Sequence, residues 1–136
     1  MKRRYLICLV MLLFVLAACT KKEQDNALYI DTSSYERIRQ EVLDVVNQRV
    51  EYFNMRDKEL YATVFTKDSS QSDIDAYEGI DTQIIRQSEP KFMAESKSQV
   101  TVSIHEEYKN SPYGEVGDTM YTLVKEDGKW KINGID

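Results

Sequence analysis

Between Tyr35 and Pro90 the apolar residues of this 136-residue chain recur every three or four positions, and from Val100 they recur at every second one. That change of period constrains the fold more than any other feature. Spacing near 3.6 builds one face of a helix, whereas spacing of two builds one face of a strand. Helices first, then strands joined by tight turns, is an α+β order, and the length suits one domain.

In the first half Tyr35, Ile38, Val42, Val45, Val46 and Phe53 share one helical face, with Glu36, Arg37, Gln40, Glu41, Asp44, Asn47 and Glu51 on the others. This predicts a long helix over 34–55, opened by Ser33 and Glu36 as a capping box. Asp57 is a plausible N-cap for a short helix carrying Leu60, Tyr61, Val64 and Phe65. The polar, serine-rich stretch 67–75 reads as a loop, and Tyr77, Ile80, Ile84 and Ile85 predict a third helix over 76–88, ending before Pro90. In the second half Val100, Val102 and Ile104 alternate with Thr101, Ser103 and His105, which is a half-buried strand. Residues 110–114 carry turn chemistry, 120–125 make a second strand, and Asp127-Gly128 is a strong hairpin signal before the return strand Lys129-Trp130-Lys131-Ile132.

The N-terminus has a different character. Lys2, Arg3 and Arg4 precede an unbroken apolar run from Leu6 to Ala18, too short for the roughly 20 residues that cross a bilayer. It fits the hydrophobic region of a secretory signal. The run ends in Leu16-Ala17-Ala18-Cys19, followed at once by Thr20-Lys21-Lys22. That tetrapeptide resembles the lipobox of bacterial lipoproteins. The resemblance implies cleavage before Cys19, diacylglycerol on its thiol and a further acyl chain such as palmitate. Two or three such chains hold a protein durably, at about 0.8 kcal/mol per buried CH2. The expected organisation is a signal peptide over 1–18, a lipidated tether over 19–32 with Leu28-Tyr29-Ile30 as a first docking contact, and a domain over 33–136. The expected location is the extracytoplasmic face of the cell membrane. Cys8 leaves with the signal and Cys19 is consumed by lipid, so the domain has no thiol for a disulfide.

Removing residues 1–18 leaves 15 basic against 23 acidic residues, a net charge of −8. Such a surface argues against nucleic acid as a partner. It is also repelled by anionic lipid, so the domain is expected to hang from its tether. Two cysteines and one histidine cannot fill a structural zinc site or an HExxH motif. Asp73, Asp75, Glu78 and Asp81 fail the EF-hand template, because Tyr77 and Glu78 occupy the third ligand and glycine places. No nucleotide, dinucleotide or G-x-S-x-G motif is present, so neither a metal nor another cofactor is expected.

The ending Tyr121-Thr-Leu-Val-Lys-Glu-Asp-Gly-Lys-Trp-Lys-Ile132 resembles the closing hairpin of the nuclear-transport-factor-two-like superfamily. The long helix running into Tyr52-Phe53-Asn54-Met55-Arg56-Asp57, then Phe65-Thr66-Lys67-Asp68, resembles its opening. The resemblance spans about 33–136. It implies a cystatin-like cone: a long N-terminal helix and short helices packed on a curved antiparallel sheet with one open end. Members include isomerases, dehydratases, cyclases and binding modules, so the fold does not fix a function.

Within such a cone Arg49 and Glu106 stand out. Arg49 lies near the middle of the apolar stripe, between Ile38 and Val42 in angle, and Glu106 has the strand phase of Val100, Val102, Ile104 and Tyr108. One reading has the two meet and line a polar pocket together with Tyr52 and Trp130. The plainer reading, which the pattern favours, is that Arg49 snorkels from the stripe while Glu106 sits past the buried part of its strand. Tyr61, Tyr108 and Tyr121 are candidates for the cavity wall or simply for an aromatic core. His105 has the outer phase of Thr101 and Ser103, which suits a solvated position better than a general base. No catalytic constellation emerges. The chain is therefore expected to be a non-catalytic interaction module acting on an envelope or membrane partner. The alternatives are a cone that binds a small ligand and an isomerase- or dehydratase-type enzyme.

Overall fold

The computed structural model describes residues 27–69 and 81–136. Residues 1–26, with the expected signal sequence, Cys19 and most of the expected tether, and residues 70–80, with Asp73, Asp75, Glu78 and the start of the expected third helix, lie outside the described residues. The order of elements is a 3-10 turn at Thr32–Ser34, α1 (Arg37–Met55), α2 (Lys58–Thr63), β1 (Gln83–Gln87), β2 (Lys91–Glu95), β3 (Gln99–Lys109), β4 (Val116–Glu126) and β5 (Lys129–Ile135). The fold is α+β, with a curled antiparallel sheet wrapped around one long helix.

Helix α1 ends where expected but starts later, and the Ser33/Glu36 capping box does not form. The Ser33 amide and hydroxyl both donate to Asp31 Oδ1, at 3.1 and 2.6 Å, so Ser33 belongs to the preceding turn. Glu36 is the N-cap, with no side-chain capping bond. Arg56 closes the helix in the left-handed region at φ 60°. Asp57 caps α2 as anticipated, accepting the Leu60 amide at 2.9 Å.

The third helix expected over 76–88 is overturned in its C-terminal part, where Gln83–Gln87 is strand β1. Ile84 is buried while Ile85 is half exposed, and the pairing with β3 slips between Ile84 and Arg86. A bulge inserts an extra residue and blurs the period of two, so a short bulged strand imitates helical spacing. The exposed strand β2, of whose residues only Phe92 packs against the core, carries no clear period and was not anticipated.

The sheet order is β1-β3-β4-β5, with β2 also on β3. Strands β1 and β2 share one edge of β3, β1 along 106–109 and β2 along 100–103. Register slips in β1, in β2 and between β4 and β5 bend the sheet into a cone. Val42, Leu43, Val46, Val50 and Phe53 of α1 fill it, against Ile84, Val100, Val102, Ile104, Tyr121, Leu123 and Ile132. Fully burying one such aliphatic side chain contributes about 1.5–3 kcal/mol, which lets a lean core suffice.

Two asparagines seven residues apart on α1 extend this packing. The Asn54 amide nitrogen donates to the Ile84 carbonyl at 2.7 Å, and its oxygen accepts the Ile84 amide at 2.9 Å. Asn47 treats Ile30 the same way, at 2.8 and 3.0 Å. Each side chain acts as a short piece of strand. One stitches β1 to the helix and the other docks the incoming chain, where Ile30 is buried.

Candidate functional site

The inner face of the sheet near the mouth of the cone holds the most polar part of the interior. Glu106 on β3 is fully buried because its phase is that of Val102 and Ile104. Arg49 reaches it from α1 and is 8% exposed. The guanidinium Nη1 lies 3.6 Å from Glu106 Oε2, so the two charges meet inside the cone. Gln87 Nε2 donates to Oε1 at 3.1 Å from β1, and the Tyr121 hydroxyl donates to the same oxygen at 2.6 Å from β4. On Oε2 the Tyr108 hydroxyl lies at 2.8 Å and the Thr119 hydroxyl at 3.0 Å, and these two hydroxyls are 2.7 Å from each other. Two hydroxyl protons thus serve three contacts, while the carboxylate accepts from every side.

This crowding defines the electrostatics. Burial pushes the Tyr121 phenol far above its ordinary 10.0; nearby Arg49 opposes that, and Glu106 adds to it. Burial and then Glu106 push Tyr108 up to about 12. Burial alone would push the Arg49 guanidinium down, but Tyr121, Glu106 and Tyr61 together more than offset it and hold it up. Arg49 also lies over the Phe53 ring, at 4.9 Å, and the Tyr121 ring, at 5.7 Å. Arg49 Nε and Gln87 Oε1 are buried without a hydrogen-bond partner among the described residues.

In front of this cluster is a cavity of about 350 Å3. Arg49, Phe53, Tyr108 and Thr119 line its inner part, while exposed Tyr113 and Val116 stand at its rim. A carboxylate has about four lone-pair directions, and the partners of Glu106 occupy them. Glu106 is therefore placed to hold the cone together and has no free lone pair for a proton on a guest molecule.

The structure brings together only part of the expected set. Arg49 and Glu106 pair. Tyr52 is half-buried and stands away from the cavity wall. Trp130 lies under a neighbouring face of α1, where its indole N–H donates to Glu41 Oε2 at 3.1 Å. His105 is on the outer face, 2.7 Å from Asp118 Oδ1. Gln87 and Thr119 had not been singled out. Thr119 shares the phase of Tyr121 and Leu123, a usable signal, whereas the helical spacing around β1 hides the inward position of Gln87. Among the described residues no three His, Cys, Asp or Glu side chains gather as metal ligands, and no helix is long and apolar enough to cross a membrane.

No family model matches the chain, and no curated protein matches it. Solved structures do. Bd1075 of Bdellovibrio bacteriovorus is similar at TM-score 0.61 and 16% identity, over 72% of this chain and 40% of that one. This chain thus spans about two fifths of Bd1075. A protein of unknown function with a cystatin-like fold from Nostoc punctiforme is similar at TM-score 0.60 and 11% identity, over 74% of this chain and 90% of that one. An NTF-2-like protein of unknown function from Shewanella oneidensis is similar at TM-score 0.54 and 14% identity, over 70% and 93%. At such identities the likeness is one of fold. The fold is the cystatin-like, NTF2-like cone that the closing hairpin pointed to.

Proposed function

We propose that this chain is a lipid-anchored, non-catalytic binding domain at the extracytoplasmic face of a bacterial membrane, where it engages an envelope protein. The anchor rests on Leu16-Ala17-Ala18-Cys19 and the apolar run before it. The observation that carries the non-catalytic reading is the state of Glu106. A general base needs a lone pair within reach of its substrate, and a general acid needs a proton to give. Glu106 spends its oxygens on Gln87, Tyr108, Thr119, Tyr121 and Arg49. An isomerase or dehydratase mechanism that used Glu106 would have to break these bonds. Crosslinking on intact cells, followed by mass spectrometry, tests the reading. A reproducible envelope partner that disappears when Cys19→Ser frees the domain from the membrane supports it. Turnover of a small molecule that Glu106→Gln abolishes in a folded protein would overturn it.

The cavity favours a second reading, a small ligand held in the cone. Its volume of about 350 Å3 and its aromatic wall suit a compact, largely apolar molecule. Gly117 lines the cavity, and a Cβ there would meet Tyr108 at an ordinary 3.6 Å. Gly117→Leu is therefore expected to fill the space without unfolding the sheet. Native mass spectrometry of protein purified from its own cells checks this: a bound small molecule seen in the original chain should vanish in Gly117→Leu.

A further inference from the structure

A second concavity lies away from the cone mouth, between α1 and the β4–β5 hairpin, with a volume of about 490 Å3. Glu41, Asp44 and Gln48 of α1 form one wall, and Lys129 and Lys131 of β5 the other. We propose that this groove receives an extended segment of the partner protein. The segment pairs its main chain with Trp130 at the free edge of β5, setting a basic side chain against Asp44 and an acidic one against Lys129. The inference rests on the reading of the chain as an interaction module and names the surface that module uses.

The argument begins with the direction of the β5 main chain. The Ile132 amide donates to the Val64 carbonyl at 2.8 Å, and the Ile132 carbonyl accepts the Thr66 amide at 2.9 Å, so at Ile132 both groups point away from β4. In an antiparallel pair this direction alternates, and residues two apart point the same way. No register slip intervenes between Ile132 and Trp130. The Trp130 N–H and C=O therefore also point outward, into the groove, and among the described residues neither has a hydrogen-bond partner. A donor and an acceptor on one strand residue match another main chain, which is how extended segments add to sheet edges. The free edge is short. Residues 64–66 cover it at Ile132, and the Asp127-Gly128 turn ends it on the other side.

The walls then select the segment. The Trp130 indole N–H and the Arg37 guanidinium engage Glu41, and Lys131 Nζ donates to the Thr63 carbonyl. Asp44 and Lys129 are exposed, with no such bond among the described residues, and they carry opposite charges across the groove. Rim charges of this kind fix register and choice of partner. The half-buried Val45 supplies apolar floor between them.

The test uses the full, lipid-anchored chain in its own cells. A photocrosslinking amino acid is incorporated in place of Gln48 in the groove, of Tyr113 at the cone mouth, or of Met120 on the outer sheet face. The proposal expects an adduct from Gln48 alone, mapping to one extended segment that carries both a basic and an acidic residue. It also expects Lys129→Glu or Asp44→Lys to cut the adduct yield by about tenfold or more. Adducts from Tyr113 or Met120 but not from Gln48 would overturn the groove while leaving the interaction module intact. A Gln48 adduct indifferent to both charge reversals would overturn the proposed pairing. No adduct from any position would remove the interaction reading and the groove with it.

Discussion

Arg49 and Glu106 would each be a poor core residue alone; together, with three hydroxyls and an amide, they make a polar knot that packs like core. Removing one member of a buried pair leaves an uncompensated charge, which costs about 3–5 kcal/mol. Arg49→Met is expected to lose stability in that range, read from the urea midpoint. The double variant Arg49→Met/Glu106→Gln should lose less than the two single losses combined, because the second change removes the stranded charge. Equal and additive losses would mean that the pair is not coupled. High pH probes the same knot. Tyr108 moves from an ordinary 10.0 to about 12 in the folded chain. The unfolded chain therefore gives up this proton first, and the stability tied to keeping it is complete below about pH 10 and is lost as the pH rises toward about 12. Tyr121 shifts in the same direction. Urea midpoints measured across that window should fall, and Tyr108→Phe should make the fall shallower. Arg49 and Glu106 were legible in the sequence because helix and strand phase place side chains by arithmetic. Gln87 was not, since its inward position depends on a bulge that only the pairing with β3 reveals.

Among the elements, β1 depends most on something outside itself. It is five residues long, and Asn54 holds the Ile84 main chain on its outer side. Asn54→Ala removes both bonds and leaves a donor and an acceptor in a half-buried position, at a cost of about 1–3 kcal/mol. Hydrogen exchange should show the loss first at the Ile84 amide, ahead of the amides of β3. If all amides accelerate together, β1 is not an independent unit. The β4–β5 hairpin is the opposite case, coded within two residues. Asp127 and Gly128 both have positive φ, 52° and 78°, as a tight hairpin turn of right-handed twist requires. Nothing lies within 4 Å of a Cβ placed on Gly128, so Gly128→Ala isolates backbone strain, about 1–2 kcal/mol. Thermal unfolding would register this as a lower midpoint. Local chemistry made that hairpin readable, as the helical stripe did for α1. The adjacent Ile84 and Ile85 mislead because a bulged strand and a helical turn both accommodate such a pair.

For the molecule as a whole, the handling of the sheet edges bears on what other chains it can pair with. Asn54 and the Ala27 carbonyl, which accepts the Gln87 amide at 3.3 Å, cover β1. Strand β2 is bulged, with Lys91 and Glu95 at its ends, and residues 64–66 cover part of β5. Such devices discourage random edge pairing. What is left open at Trp130 is narrow and flanked by opposite charges, a setting for selective pairing. The proposed anchor belongs to this scale too. Cys19→Ser should move the protein from the membrane to the soluble fraction with an unchanged circular dichroism spectrum, and a protein that stays with the membrane would refute lipidation at that sulfur. The sequence by itself determined the α+β order, the long helix, the closing hairpin and the inward phase of Arg49 and Glu106, because periodicity and turn chemistry act over a few residues. Only the tertiary structure decided that β1 is a strand, that Gln87 and Thr119 complete the knot, and that Trp130 faces a different hollow from Arg49. Those outcomes depend on bulges and on partners tens of residues away, and local spacing carries no record of them.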